Sequence, residues 1–285
     1  MKRFILLLLS CLFVAHYVSG AQTPLKKFYG LRVQSDIVSY SILINGVEQD
    51  SAKGGSSRSF YTEANQWLVR GENTIEARYN LPSGAPTGDA EIEVHLYWAT
   101  REDQAEQPVV DYHWKARPDD LYPVVYTCPF DLDDFPETML ACVEKLPAPE
   151  GEVAVLSQED KYAILSHIDQ LVAAYLKRDF DAVYELQKLK FEDVATSRHQ
   201  ATAEELEELT SDARKFVVGL DKLEYHQPDA PLQFVVTGDN KLVHVVRSSS
   251  PEYALAFTYE SEGEKQDFFI DPYFAKIDGK WVIIR

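Results

Sequence analysis

The chain has 285 residues, enough for two domains of ordinary size. Hydrophobic residues make up 45% and aromatics 12%, which excludes a disordered chain, because disorder requires low hydrophobicity. The formal net charge of −18 sets aside nucleic acid and anionic lipid surfaces, both of which attract basic proteins.

Residues 1–20 have the build of a secretory signal. Lys2 and Arg3 form its positive start, Phe4 to Val14 its apolar middle, and Val18, Gly20 and Ala21 offer small residues for cleavage after Gly20 or Ala21. The apolar run is short for a membrane span and nothing later replaces it, so no span is expected. The expected location is the periplasm or the medium. Cys11, after Leu8-Leu9-Ser10, faintly resembles a lipoprotein signal, with fewer apolar residues before it than such a region needs. Removal of residues 1–20 takes away two positive charges and no acid, so the net charge passes from −18 to −20. That charge keeps an exported chain soluble, and it suits a basic partner such as a cationic protein or peptide. Cleavage also leaves Cys128 and Cys142. Two cysteines in an exported chain most often pair. A disulfide would close a loop of about 15 residues, worth roughly 3 kcal/mol in the loop-entropy model. Two free thiols are the alternative.

Residues 22–146 read as an all-β sandwich. Ile37 to Ile44 is rich in β-branched and aromatic residues and runs into the Asn45-Gly46 turn. Ser51 to Ser59 is a loop, and Phe60 to Val69 carries Tyr61, Trp67 and Leu68. Gly71-Glu72-Asn73 turns into Thr74 to Tyr79, which alternates apolar and polar residues. Pro82 to Gly88 is a loop, and Glu91 to Trp98 alternates again, with Ile92, Val94, Leu96 and Trp98 on one face. Val109 to Trp114 and Leu121 to Tyr126 add strands. Trp98, Tyr112, Trp114, Tyr122 and Tyr126 are either core aromatics or a sugar-stacking platform. The pair of turns, with Asn45, Gly46, Gly71, Asn73 and Ile75, resembles the galactose-binding-like jelly rolls attached to sugar-processing enzymes. Those residues are turn formers first, and sugar binding is not carried over from them.

Residues 147–151, Pro-Ala-Pro-Glu-Gly, read as a stiff linker, and 152–285 as an α+β domain. Ser157 with Asp160 makes a capping-box-like start. Ile164, Ile168, Leu171, Tyr175 and Leu176 follow at helical spacing. Asp179 can cap a second helix, and Thr202 starts a third that stops at Gly219. Strands come next: Lys222 to His226, Leu232 to Thr237, Leu242 to Arg247, Tyr253 to Tyr259, Gln266 to Ile277 and Trp281 to Arg285, most of them separated by Gly, Pro or Ser breakers, among them Ser248 to Pro251.

The run Tyr175-Leu176-Lys177-Arg178-Asp179-Phe180-Asp181 and the final Ile277-Asp278-Gly279-Lys280-Trp281-Val282-Ile283 resemble two signatures of the nuclear transport factor two-like superfamily, which includes SnoaL-like cyclases and ketosteroid isomerases. The resemblance covers nearly all of the second domain. It implies a cone: three helices, then a curved antiparallel sheet, with a pocket between them. It does not imply one function, because this fold hosts enzymes and binding modules alike.

Alternation sorts the closing hairpin into two faces. Asp271, Tyr273, Ala275, Val282 and Ile284 share the smaller, more polar face, expected to line the pocket. Phe268, Ile270, Phe274, Trp281 and Ile283 form an apolar face, expected to lie outward against the first domain or a second copy of the chain. Asp271 is the candidate general base, with His244 or Tyr273 as partner, and His167 and Tyr175 are candidate pocket residues. The bland readings stand beside these: a locally bonded Asp271 before Pro272, a core His244, a packing Tyr273. A metal would need His167 and His244 to converge on Asp271. With no nucleophile elbow, phosphate loop, HExxH helix, CxxC pair or dinucleotide fingerprint, no cofactor and no metal are expected. The function expected is non-catalytic binding, with a small apolar ligand or a protein as partner. The alternatives are an isomerase or hydrolase using Asp271, and carbohydrate binding by the first domain. An Asp271 on the face away from the helices removes the enzymatic reading in this form.

Overall fold

The computed structural model describes residues 26–81, 90–100, 103–117, 120, 122–198, 202–247, 253–261 and 263–285. The signal reading at 1–20, Cys11, the loop at 82–88 and the breaker at 248–251 lie outside these residues. Among the described residues the fold is β-rich, with 45% strand against 26% helix, and in the second half helices precede sheets. The chain divides into two compact units, one of Pro24–Cys142 with Thr196–Gln200, the other of Val143–Ala195 with Ala201–Arg285.

The first unit contains β1 (Lys27–Asp36), β2 (Ser39–Ile44), β3 (Val47–Ala52), β4 (Arg58–Glu63), β5 (Gly71–Asn80), β6 (Glu91–Thr100), β7 (Gln107–Lys115), β8 (Val124–Leu132) and a short α1 (Met139–Cys142). They form two antiparallel four-stranded sheets, ordered β4-β1-β6-β7 and β3-β2-β5-β8. Period-two alternation decides which side is buried: Tyr29, Leu31 and Val33 of β1 and Ile92, Val94 and Leu96 of β6 turn in. Asn45 and Gly46 both have positive φ and close β2 onto β3 as a two-residue turn, with Ile44 opposite Val47. In the stretch Phe60–Val69 the strand β4 stops at Glu63. There the buried Asn65 leaves the ladder in a single 3₁₀ turn and accepts from the Tyr29 amide at 2.6 Å. The carboxamides of Asn45 and Asn73 join the turns. Asn45 Nδ2 donates to Asn73 Oδ1 at 2.9 Å, the Val69 amide donates to the same oxygen, and Asn73 Nδ2 donates to the Val69 and Gly71 carbonyls.

The two cysteines are not joined. Both are free thiols, which corrects the disulfide expected from their spacing. Cys128 sits on the half-buried side of β8 with Tyr126 and Phe130. Cys142 ends α1 and is exposed, because the buried Leu140 anchors that helical turn and points its last residue at solvent.

The second unit begins with α2 (Gln158–Lys177), α3 (Phe180–Ser197) and α4 (Ala203–Val218). The caps are those expected. Ser157 Oγ accepts from the Asp160 amide, Arg178 ends α2 in the left-handed region, Asp179 Oδ1 accepts from the Ala182 amide, and Thr202 with Glu205 makes a reciprocal capping box. The strands are β9 (Asp221–His226), β10 (Gln233–Thr237), β11 (Leu242–Val246), β12 (Leu255–Ser261), β13 (Glu264–Ile270), β14 (Tyr273–Ile277) and β15 (Lys280–Ile283). They form the sheets β10-β11-β14-β15 and β13-β12-β9. The single long strand expected over Gln266–Ile277 is broken at Asp271-Pro272, because Pro272 has no N–H for the ladder. Its two halves serve different sheets.

The closing hairpin has the expected register: Ile277 faces Lys280, and Ala275 faces Val282, across Asp278 and Gly279, both at positive φ. Its faces are the reverse of those expected. Phe268, Ile270, Phe274, Trp281 and Ile283 are not an outward surface; they share one core with Ile164, Ile168, Leu171 and Tyr175 of α2. The face with Asp271, Tyr273 and Ala275 is the one turned away from that helix. Alternation gives two faces and no sign for either. The apolar face went to the helices because burying it there removes the larger nonpolar area from water.

Candidate functional site

His244 on β11 lies directly opposite Tyr273 on β14. Side chains opposite each other share a face, so the two rings stack at 4.2 Å between centroids and 8° between planes. Asp271, freed from the ladder before Pro272, folds back to the same face. With its proton on Nε2, His244 donates to Asp271 Oδ1 at 2.6 Å. The three residues singled out as catalytic candidates therefore converge, and they do so away from α2. The side chains of His244 and Asp271 are part-exposed, at 22% and 35%, while Tyr273 is buried.

Sequence pattern alone missed the rest of this cluster. Lys190 and Asp193, close together on α3, come in beside Asp271 and the buried Arg285. Burial holds the Lys190 ammonium down at about 8, with Arg285 adding to the depression and Asp271 opposing it. Arg285 donates to the Asp193 carboxylate in a pair sealed from solvent, and its burial lowers its pKa despite that partner. A charged residue at i, i+3 on a helix was legible, but which side of the sheet it would meet was not.

His167 and Tyr175 do not join this group. His167 packs edge-on against Phe274 at 5.6 Å, and its Nε2 lies 3.0 Å from the Leu186 carbonyl. Tyr175 is enclosed between Phe257 and Phe268, takes a hydrogen bond from Gln187 Nε2 at 3.4 Å, and has its hydroxyl pKa raised by burial. The metal-ligand convergence of His167 with His244 and Asp271 is absent, since the sheet separates them.

In the first unit the aromatics named from the sequence spend their faces on one another. Tyr112 stacks on Tyr126 at 3.7 Å, Trp114 packs on Tyr79 at 4.6 Å, and Tyr122 meets Trp114 edge-on at 6.2 Å. Lys27 lies over Trp98 at 4.8 Å. Two clefts open beside β1. One of about 160 Å³ is bordered by Arg32, His95, Tyr97 and Glu106. The other, about 410 Å³, is bordered by Gln34, Asp36, Arg58, Glu91 and Glu93.

No family model, curated protein or solved structure matches this chain.

Proposed function

We propose that this is an exported, non-catalytic binding protein for a basic partner. On this reading the first unit is a β-sandwich that meets the partner, and the second is a cone-type α+β scaffold. The observation that carries the reading is the filling of the space between helices and sheet. Tyr175, Phe257, Phe268, Phe274 and Trp281 occupy the volume in which a cone-type isomerase would hold its substrate. The clefts open instead beside β1, and the net charge of −18 favours a cationic partner. Carbohydrate binding has less support, because the rings it needs are stacked on each other.

The test is backbone-amide mapping of the full chain, by NMR or hydrogen exchange, during titration with cationic peptides and small neutral ligands. The expected perturbation lies in β1, β4, β6 and β7. A perturbation centred on His244, Asp271 and Tyr273, with a turnover that His244→Ala abolishes, overturns the reading in favour of an enzyme. Export is tested separately. Protein recovered from the periplasm or medium is expected to begin near residue 21, and an uncleaved cytoplasmic chain refutes it.

A further inference from the structure

We propose that a second copy of this chain adds at the edge strand β10, each copy pairing its β10 antiparallel with the other's. The inference goes beyond the binding reading above and does not depend on it.

The outermost strands of the four sheets are β4 and β7, β3 and β8, β10 and β15, and β9 and β13. An edge strand shows a row of unpaired amides and carbonyls, and proteins guard such rows with charged residues or proline. Seven of these eight strands carry charged residues, down to β15, whose four residues begin with Lys280. β10 is the exception. Gln233-Phe234-Val235-Val236-Thr237 has neither a charge nor a proline. Its ladder runs to β11 on one side. Among the described residues, Gln233 to Val236 make no backbone hydrogen bond on the other. Gln233 is exposed and Val235 is 45% exposed, so the strand is open to solvent. Phe234 and Val236 pack against the core of the second unit and hold the strand extended.

The chemistry of β10 selects its neighbour. A cationic segment finds no charge on this strand to pair with. An uncharged extended strand does fit, and a second copy of the chain brings one. Antiparallel pairing about a two-fold axis at Val235 sets that residue opposite its own copy. Phe234 then faces the partner's Val236, and Gln233 faces the partner's Thr237. This register pairs all five residues and keeps Phe234 and Val236 of both copies on the core side. Cross-strand pairs of aromatic and β-branched residues are favourable, and no like charges meet. The contact uses the same patch on both copies, so assembly closes at two. It joins β10-β11-β14-β15 of each copy into one continuous sheet.

The experiment is sedimentation velocity of the full chain over a concentration series, with Val235→Lys and Val125→Lys beside it. A monomer–dimer equilibrium is expected, tighter at high salt because two chains of net charge −18 repel each other. Val235→Lys sets like charges directly opposite and is expected to weaken the dimer roughly tenfold, although it reduces the overall repulsion. Val125 is 55% exposed on β8, and Val125→Lys makes the same change of charge with the dimer no weaker. Cross-linking reads the register separately. With Cys11, Cys128 and Cys142 changed to Ala, Val235→Cys is expected to give a disulfide-linked dimer under mild oxidation. Residues directly opposed in an antiparallel pair lie about 4.5–5.5 Å apart, within disulfide reach. Gln233→Cys is expected to stay unlinked, being roughly 14 Å from its own copy along the pair. A chain that is monomeric at every concentration overturns the second copy as occupant and leaves the edge to another protein's strand. An assembly that grows past two overturns the closed pairing. A dimer that Val235→Lys leaves unchanged, or that Val125→Lys weakens equally, places the contact elsewhere. Linking at Gln233 and not at Val235 overturns the two-fold register.

Discussion

Asp160 offers the sharpest test of how the second unit is held together. It is the third residue of α2, and three donors converge on its carboxylate. Ser157 Oγ donates to Oδ2 at 2.7 Å, Trp281 Nε1 donates to Oδ1 at 2.8 Å, and Lys276 Nζ reaches Oδ1 at 3.1 Å. One residue thereby caps a helix and fastens the hairpin of β14 and β15 to it. The Ser157 bond, followed by those from Trp281 and Lys276, holds the carboxyl at about 2 against a burial effect that pushes it up. The usual value is 3.8, so holding the carboxyl down at about 2 corresponds to about 2 kcal/mol favouring the folded state. A depressed folded pKa contributes stability that is complete above the unfolded value. It is lost as pH falls through 3.8 towards 2, where both states are protonated. Asp160→Asn cannot ionise and lacks this contribution at every pH. Urea denaturation of both proteins, in steps from pH 7 to pH 2, is expected to show the natural chain more stable by about 2 kcal/mol at pH 7. That gap should close across the acid window. A gap that is absent at pH 7, or that stays constant to pH 2, refutes the reasoning.

Asn73→Ala strips the acceptor used by Asn45 and the Val69 amide and the donor used by two carbonyls, at a residue only 1% exposed. A loss of about 2–4 kcal/mol is expected in chemical denaturation, and a loss below about 0.5 kcal/mol contradicts the network. Lys190→Met removes a charge that folding buries. The variant is expected to be more stable at pH 7 by roughly 1–3 kcal/mol. Between about 8 and 10.5 the unfolded natural chain holds the extra proton, so its stability rises with pH, and the variant should lack that rise in the same denaturation series. Cys142 is expected to react with a thiol reagent in the folded, unreduced protein, and Cys128 fully only after unfolding. A protein with no titratable thiol would refute the free pair.

Local chemistry made much of this fold legible. Two-residue turns at Asn45-Gly46 and Asp278-Gly279 need positive φ at both positions, and the helix caps at Ser157, Asp179 and Thr202 need a short oxygen-bearing side chain, so both announce themselves. β1 was missed although Tyr29, Leu31 and Val33 alternate, because Gly30 interrupts the pattern. The glycine leaves room for a neighbour: a Cβ there would come within 2.8 Å of the end of the Tyr97 side chain, which would have to shift. β3 was missed because Val-Glu-Gln-Asp-Ser-Ala is nearly all polar, as an edge strand paired only with β2 can be. The convergence of His244, Tyr273 and Asp271 was legible as strand parity. The inside and outside of their sheet were not, because parity is unchanged when the two faces are exchanged.

The two polar clusters differ in how their charges are met, and that difference bears on stability. Around Asp271 each charge has an internal answer: His244 on the carboxylate, Asp193 on Arg285, and Asp271 beside Lys190. Such a set can hold β11, β14, α3 and the C-terminal residues together with no ligand. At the end of β1 the charges meet at the surface instead. Glu91 lies between Asp36 on β1 and Lys115 on β7, and Arg58 is engaged by Asp50. Like charges directly opposite destabilise a sheet, and an exposed ion pair returns little. Opposite responses are therefore expected from the two clusters. Asp271→Asn should lower stability, because it removes the acceptor of His244 and the negative charge beside Lys190, whereas Glu91→Gln should preserve or raise it. Reversal of that pattern, read by urea denaturation of the two variants, would refute this account of how each cluster is held.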